Sequence, residues 1–169
     1  MKPFKEIKKW FENQENLFYL FLIILIVPNV VLCFTEPMPI VAKVCNVLLP
    51  FSIYYIVMSW SRNCGRTFWI LFPFLFFGAF QIVLLYLFGQ SIIAVDMFLN
   101  LVTTNSSEAL ELLDNLIPAI VIVVLLYIPA LAVATVSVIK KRELPELFIH
   151  RERKRARLAM IAGVLSLGA

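Results

Sequence analysis

Leu17–Phe34 reads LFYLFLIILIVPNVVLCF, eighteen residues without a single charge. As a helix it would extend about 27 Å, close to the ~30 Å hydrocarbon core of a bilayer. A run so long and so free of charge reads as a membrane-spanning helix. The next apolar run, Ile40–Trp60, follows after only Thr35–Pro39, and two more lie at Phe68–Gly89 and about Leu116–Ile139. Each is long enough to cross. A fifth begins near Leu158 and stops at Ala169, twelve residues in, which is too few to cross and reads as a span cut short. The expected fold is therefore an all-α integral membrane domain over residues 1–169. It has four full transmembrane helices, the start of a fifth, and an amphipathic helical connection between the third and fourth. Pro28, Pro50, Pro73, Pro118 and Pro129 fall inside or near the ends of these runs and are expected to kink them.

The composition agrees. The chain is 62% hydrophobic and 15% charged, with a mean hydropathy of +0.91, values outside the range of soluble domains. Its fifteen phenylalanines cluster with the other aromatics near the ends of the apolar runs, as interfacial anchors do. A basic start before an apolar run can mark a cleaved signal peptide. Here the run is long, no small-x-small site follows it, and another apolar run begins almost at once.

The net charge of +4 is a topology signal, not a nucleic-acid footprint, because the basic residues flank the apolar runs. Lys2, Lys5, Lys8 and Lys9 precede the first run. Arg62 and Arg66 separate the second and third. Lys140, Lys141, Arg142, Arg151, Arg153, Lys154, Arg155 and Arg157 separate the fourth and fifth. Fourteen of fifteen basic residues thus fall on one side, and only Lys43 on the other. The positive-inside rule places that side, with the N-terminus, in the cytoplasm and residues 90–115 outside. Glu143–Arg157 reads as a cytoplasmic amphipathic helix or basic loop whose charges favour anionic lipid.

Few residues offer chemistry. Cys33 and Cys45 fall near the outer ends of adjacent runs, so a disulfide and ordinary apolar filling both fit them. Cys64 lies in a basic cytoplasmic connection, where thiols stay reduced. The single histidine, His150, sits among arginines and reads as a surface residue, which argues against a His-based zinc site in this chain. Asn29, Asn46, Ser52 and Gln81 fall within spans, where polar side chains hydrogen-bond neighbouring helices. Glu36, Lys43 and Asp96 read as solvated charges near the outer surface. No glycine-rich phosphate loop, metal-ligand cluster or nucleophile–base pair is visible.

One polar stripe stands out. Asp96, Asn100, Thr104 and Glu108 recur every four residues, so on a helix they share one face with a drift of about 40° per step. Phe98, Leu99, Val102, Ala109, Leu110 and Leu113 fill the opposite face, a division suited to a membrane surface. Two readings fit. Asn105-Ser106-Ser107-Glu108 has the form of a capping box, with Asn105 as N-cap and Glu108 at N3. Alternatively, Asn100 and Thr104 offer neutral hydrogen-bonding groups and Glu108 an anionic acceptor. That set matches the phosphate and ammonium of a phosphatidylethanolamine headgroup. The two roles are compatible, since a helix start also favours anionic groups.

The run Ala94–Leu113, AVDMFLNLVTTNSSEALELL, resembles the periplasmic connection of phosphoethanolamine transferases, bacterial enzymes that modify lipid A and are associated with polymyxin resistance. The pattern Asn-x3-Thr-x3-Glu-Ala followed by Glu-Leu-Leu sits between the third and fourth spans, as in that family. The resemblance implies five N-terminal membrane helices followed by a periplasmic domain of the alkaline phosphatase/sulfatase type. That domain carries zinc and a threonine nucleophile, and moves phosphoethanolamine from phosphatidylethanolamine to lipid A. It also implies that Asn100, Thr104 and Glu108 line the donor-lipid pocket. The catalytic domain lies outside these residues, so the chain itself is expected to hold no catalytic residue, cofactor or metal, with zinc implied only for that domain. Its expected partners are the donor lipid, lipid A and the bacterial inner membrane. Two competing readings are a small non-catalytic membrane protein acting as an assembly or lipid-binding partner, and a related transferase moving phosphoglycerol or sulfate. The carboxylate of Glu108 disfavours the latter, because it suits a zwitterionic headgroup.

Overall fold

The structure, a computed structural model, describes the backbone of residues 2–35, 37–88 and 106–168, and the side-chain surroundings of 6–35, 37–80, 117, 118 and 120–168. Among these residues the chain is helical, with no strand: α1 (Lys2–Glu12), α2 (Gln14–Thr35), α3 (Ile40–Met58), α4 (Cys64–Ile70), α5 (Phe72–Phe88), α6 (Ser106–Ile139) and α7 (Glu146–Leu165). Three stretches are long and apolar enough to cross a membrane: α2, α3 and Ile120–Ile139 of α6. Their outward faces carry Ile23, Ile53, Leu125 and Ile128, each at least half exposed. Water would penalise that much contiguous apolar surface, whereas lipid tails would cover it.

The third expected span, Phe68–Gly89, is divided. α4 stops at Ile70 and α5 starts at Phe72. Pro73 accounts for the break: it has no N–H for the carbonyl of Trp69, and its ring crowds that carbonyl. Bonds from Leu71 N–H to the Thr67 carbonyl and from Leu75 N–H to the Leu71 carbonyl, both 3.1 Å, carry the chain across. α5 alone has 17 residues, about 26 Å of helix.

Two other expected boundaries are absent. α6 runs unbroken for 34 residues, about 51 Å, so residues 106–115 of the expected outer connection continue straight into the apolar run. The stretch is rich in Glu, Ala and Leu, good helix formers, and contains no glycine to stop it. At the other side, the basic segment and the fifth apolar run were expected to part near Leu158. Instead Glu146–Leu165 is one helix. It starts directly after Pro145 and meets no proline, and no glycine before Gly163.

α7 lies antiparallel along α3. Glu152 meets Tyr55, Met160 meets Ser52, and Ser166, just past the end of α7, meets Cys45. α3 in turn packs on α2, α2 on α5, and both α4 and α5 on α6. Small residues permit the closest approaches. A Cβ on Gly65 of α4 would stand 2.5 Å from the Ala134 carbonyl oxygen of α6, so only glycine fits there. The basic ends of the helices converge on a dense core of Phe18, Phe21, Met58, Phe68 and Leu144, all fully buried. Phe21 stacks on Phe68 with ring centroids 4.2 Å apart, and Phe18 meets Phe148 edge-on at 5.5 Å.

α1 was not foreseen as a helix. Ile7, Trp10 and Phe11 fall on one side of it and stay exposed, while Lys2, Lys5, Lys8 and Lys9 supply charge. That partition suits a helix lying at a membrane surface.

Candidate functional site

Of the expected donor-lipid residues, Asn100 and Thr104 lie outside the described residues, as do Asp96 and Glu36. Glu108 is the third residue of α6 as described, and only its backbone is placed there. The side chain of Gln81 is likewise outside the described set. The polar chemistry that the structure does place is elsewhere, in three clusters between helices.

The first joins α3 to α7. The Glu152 side chain is fully buried. Its Oε2 accepts from the Tyr55 hydroxyl, and its Oε1 accepts from Arg151 Nε and Arg155 Nη1, each at 3.0 Å. Arg151 also lies over the Phe148 ring, 5.3 Å from its centroid. Burial by itself would raise the carboxyl pKa. The hydrogen bonds from Tyr55, Arg151 and Tyr19, with the charge of Arg155, outweigh it and hold Glu152 below the usual carboxylate range. A carboxylate so saturated with donors is a poor general base, because a base needs a free lone pair and a pKa near the working pH. It is well made to fasten one helix to another.

The second cluster joins α2, α4 and α6. Gln14 Oε1 accepts from Ser137 Oγ at 2.6 Å and from the Cys64 thiol at 3.4 Å, with all three residues buried. Burial pushes the Cys64 thiol up to about 11, partly opposed by hydrogen bonding with Ser137. Cys64 is therefore an apolar-site thiol, not a nucleophile at neutral pH.

The third cluster joins α2 to α3 near their other ends. Asn46 Nδ2 donates to the Asn29 carbonyl at 2.9 Å, and Asn29 Nδ2 donates to Asn46 Oδ1 at 3.3 Å. This is the inter-helix pairing expected of polar residues within spans. Ser52 turns its hydroxyl to its own helix, onto the Leu49 carbonyl at 2.8 Å, with Met160 Sδ at 3.6 Å. Cys33 and Cys45 are both free thiols. Cys33 donates to the Lys43 carbonyl and Cys45 to the Ser166 carbonyl, so the two sulfurs address different partners.

Gln14, Tyr55, Ser137 and Glu152 were not singled out from the sequence. Gln14 borders an apolar run and Ser137 lies in one, so both invited attention. Glu152 gave no such signal, being one acid in the arginine-rich stretch Arg151–Arg157. His150 is exposed, as expected, 3.9 Å from Glu146. Among the described residues no group of three or more His, Cys, Asp or Glu side chains converges to hold a metal, and no metal chemistry is assigned to them. No family model, no curated protein and no solved structure matches this chain.

Proposed function

We propose that residues 1–169 form the membrane domain of a phosphoethanolamine transferase that modifies lipid A, anchoring the enzyme and presenting its donor, phosphatidylethanolamine. The observation that carries this reading is the pattern Asn100-x3-Thr104-x3-Glu108-Ala109 between the third and fourth apolar runs. Three helices apolar enough to cross a bilayer are compatible with it. In this reading the basic end faces the cytoplasm and residues 90–115 the periplasm of a bacterial inner membrane. Glu108 orients the donor's ammonium, while Asn100 and Thr104 hold its phosphate or glycerol side. The transfer itself belongs to the catalytic domain, where a threonine takes the phosphoethanolamine group covalently before passing it on. Zinc would belong to that domain too.

A capping role for Glu108 is the specific alternative, favoured by its place three residues after Asn105. It suits a small non-catalytic membrane protein equally well. Glu108→Gln separates the two, because glutamine serves a capping box at N3 but cannot pair with an ammonium. Lipid A modification by the protein carrying its catalytic domain, read by mass spectrometry, should fall about tenfold or more in Glu108→Gln and Glu108→Ala alike. Full modification by Glu108→Gln would leave only the cap.

A further inference from the structure

At the basic end of the molecule, α7, the end of α3 and the two residues after it border an open cavity of about 330 Å³ lined by Ile56, Ser59, Trp60, Arg153 and Arg157. Arg153 and Arg157 are four residues apart on α7 and so share a face. The half-buried Arg153 directs Nη2 at the carbonyls of Ser59 and Trp60, 3.4 and 3.5 Å away. This screens the carbonyl end of α3, which would otherwise repel an anion. Among the described residues its remaining donors, and all those of the exposed Arg157, meet no acceptor and are left for another partner.

Most of the other arginines face a carboxylate. Arg62 faces Glu143, Arg142 faces Glu12, and Arg151 and Arg155 share Glu152. Among the described residues Arg66, Arg153 and Arg157 have no carboxylate within ion-pairing distance, and of these three only Arg153 and Arg157 line the cavity. Two uncompensated guanidinium groups thus border one cavity, and guanidinium is the side chain best matched to phosphate oxygens. Ile56 supplies an apolar wall, and Trp60, 77% exposed, is the kind of amphipathic ring that settles at headgroup depth.

We propose that this cavity binds the phosphodiester of an anionic glycerophospholipid, in the leaflet on the basic side of the membrane. Arg153 and Arg157 grip the phosphate, while Trp60 and Ile56 contact the glycerol and the first acyl carbons. The site is independent of the transferase reading and lies at the opposite end of the spans from Glu108.

Trp60 is its own reporter. With Trp10→Phe and Trp69→Phe in place, the protein is reconstituted in phosphatidylcholine vesicles holding a small fraction of phosphatidylglycerol brominated near the top of its acyl chains. Bromine quenches indole fluorescence on contact. Quenching should exceed that from phosphatidylcholine brominated at the same carbons. The lipid fraction for half-quenching should rise about fivefold in Arg157→Gln, a change that leaves the Arg153 contacts to α3 intact, and further in the double variant with Arg153→Gln. Lys154→Gln, on the same helix but outside the cavity, should change nothing. Equal quenching by the two lipids, or an unaltered Arg157→Gln, overturns the proposal. Recovery of fluorescence on adding inorganic phosphate overturns the choice of a lipid over a soluble anion. Phosphatidylglycerol retained by the unsubstituted protein on mild detergent release, and lost in Arg157→Gln, tests the same site by mass spectrometry without any tryptophan change.

Discussion

Tyr55, near the C-terminal end of α3, meets a buried carboxylate flanked by two guanidinium groups. Asn46, about 13 Å further along the same helix, meets an amide, a carbonyl and a thiol. The contrast follows from what each depth can solvate. At the basic end Arg151 and Arg155 are each about half exposed, so they keep contact with water or headgroups while their tips reach inward to Glu152. A carboxylate placed at the depth of Asn46 would have no such partners, and its desolvation would exceed any gain. Neutral amides cost less to bury and pair with each other.

The largest effect expected from breaking this contrast is at the charged end. Glu152→Ala leaves the Tyr55 hydroxyl without its acceptor and opens a gap in a tightly packed region. It should cost about 2–3 kcal/mol, measured by reversible unfolding in mixed micelles. Glu152→Gln should cost less, since its carbonyl can still accept from Tyr55. Equal stability of Glu152→Ala and the parent would mean that packing alone holds α7 on α3.

Acid should sharpen the same point. The native pKa of Glu152 is depressed, so the stability it contributes is complete above the ordinary carboxylate value, roughly 4.3. It is lost as pH falls from there through the native value. An acid-dependent loss of stability that is reduced in Glu152→Gln, with no difference in pH response between the two proteins around pH 7, is the expected outcome. Identical acid profiles for both proteins would reassign the sensitivity to other carboxylates.

At the neutral end Asn46→Leu should cost about 0.6–2 kcal/mol, less than Glu152→Ala, and its effect should not vary between pH 7 and acid. A cost larger than that of Glu152→Ala would reverse the comparison and make the Asn29–Asn46 pair the principal tie.

How much of this could be read in advance differs between the two ends. The runs that became α2, α3 and the apolar part of α6 were legible because eighteen or more apolar residues with no charge, or in α3 only Lys43 near the start, are a strong signal. The Asn29–Asn46 pairing was legible in kind, since an amide within a span must find a partner. The continuity of α7 was not. Charge stops near Leu158, which looks like a boundary, but Arg, Lys, Glu, Leu and Ala are all good helix formers, so the backbone has no reason to break there. α1 carried an unused signal in the spacing of Phe4, Ile7 and Phe11, which falls on one helical face. Glu152 was illegible because its burial depends on Tyr55, 97 positions away. The stripe of Asn100, Thr104 and Glu108 rests on sequence pattern alone, because those side chains lie outside the described residues.

The smallest predicted effect concerns how far the basic end favours charge over backbone ease. α6 ends with Arg142 N–H bonded to the Ser137 carbonyl at 3.1 Å and Lys141 N–H to the Val138 carbonyl at 3.0 Å. This pair of bonds closes the helix around a left-handed residue two positions past Ile139. That residue is Lys141, with φ of 50°, where glycine is the common choice because it has no Cβ to clash. Lys141→Gly relieves a left-handed strain of about 1–2 kcal/mol, offset by the ~0.4–1 kcal/mol that glycine's freer unfolded chain costs, so it should stabilise the fold by about 0.5–1 kcal/mol. It also removes one of the eight basic residues between the fourth and fifth runs, so correct insertion should decline slightly even as stability rises. Opposite signs in the two measurements would show that a positive charge is kept here for topology, against the preference of the backbone. A Lys141→Gly protein that unfolds more easily would instead mean that the lysine side chain makes a stabilising contact outweighing its strained φ.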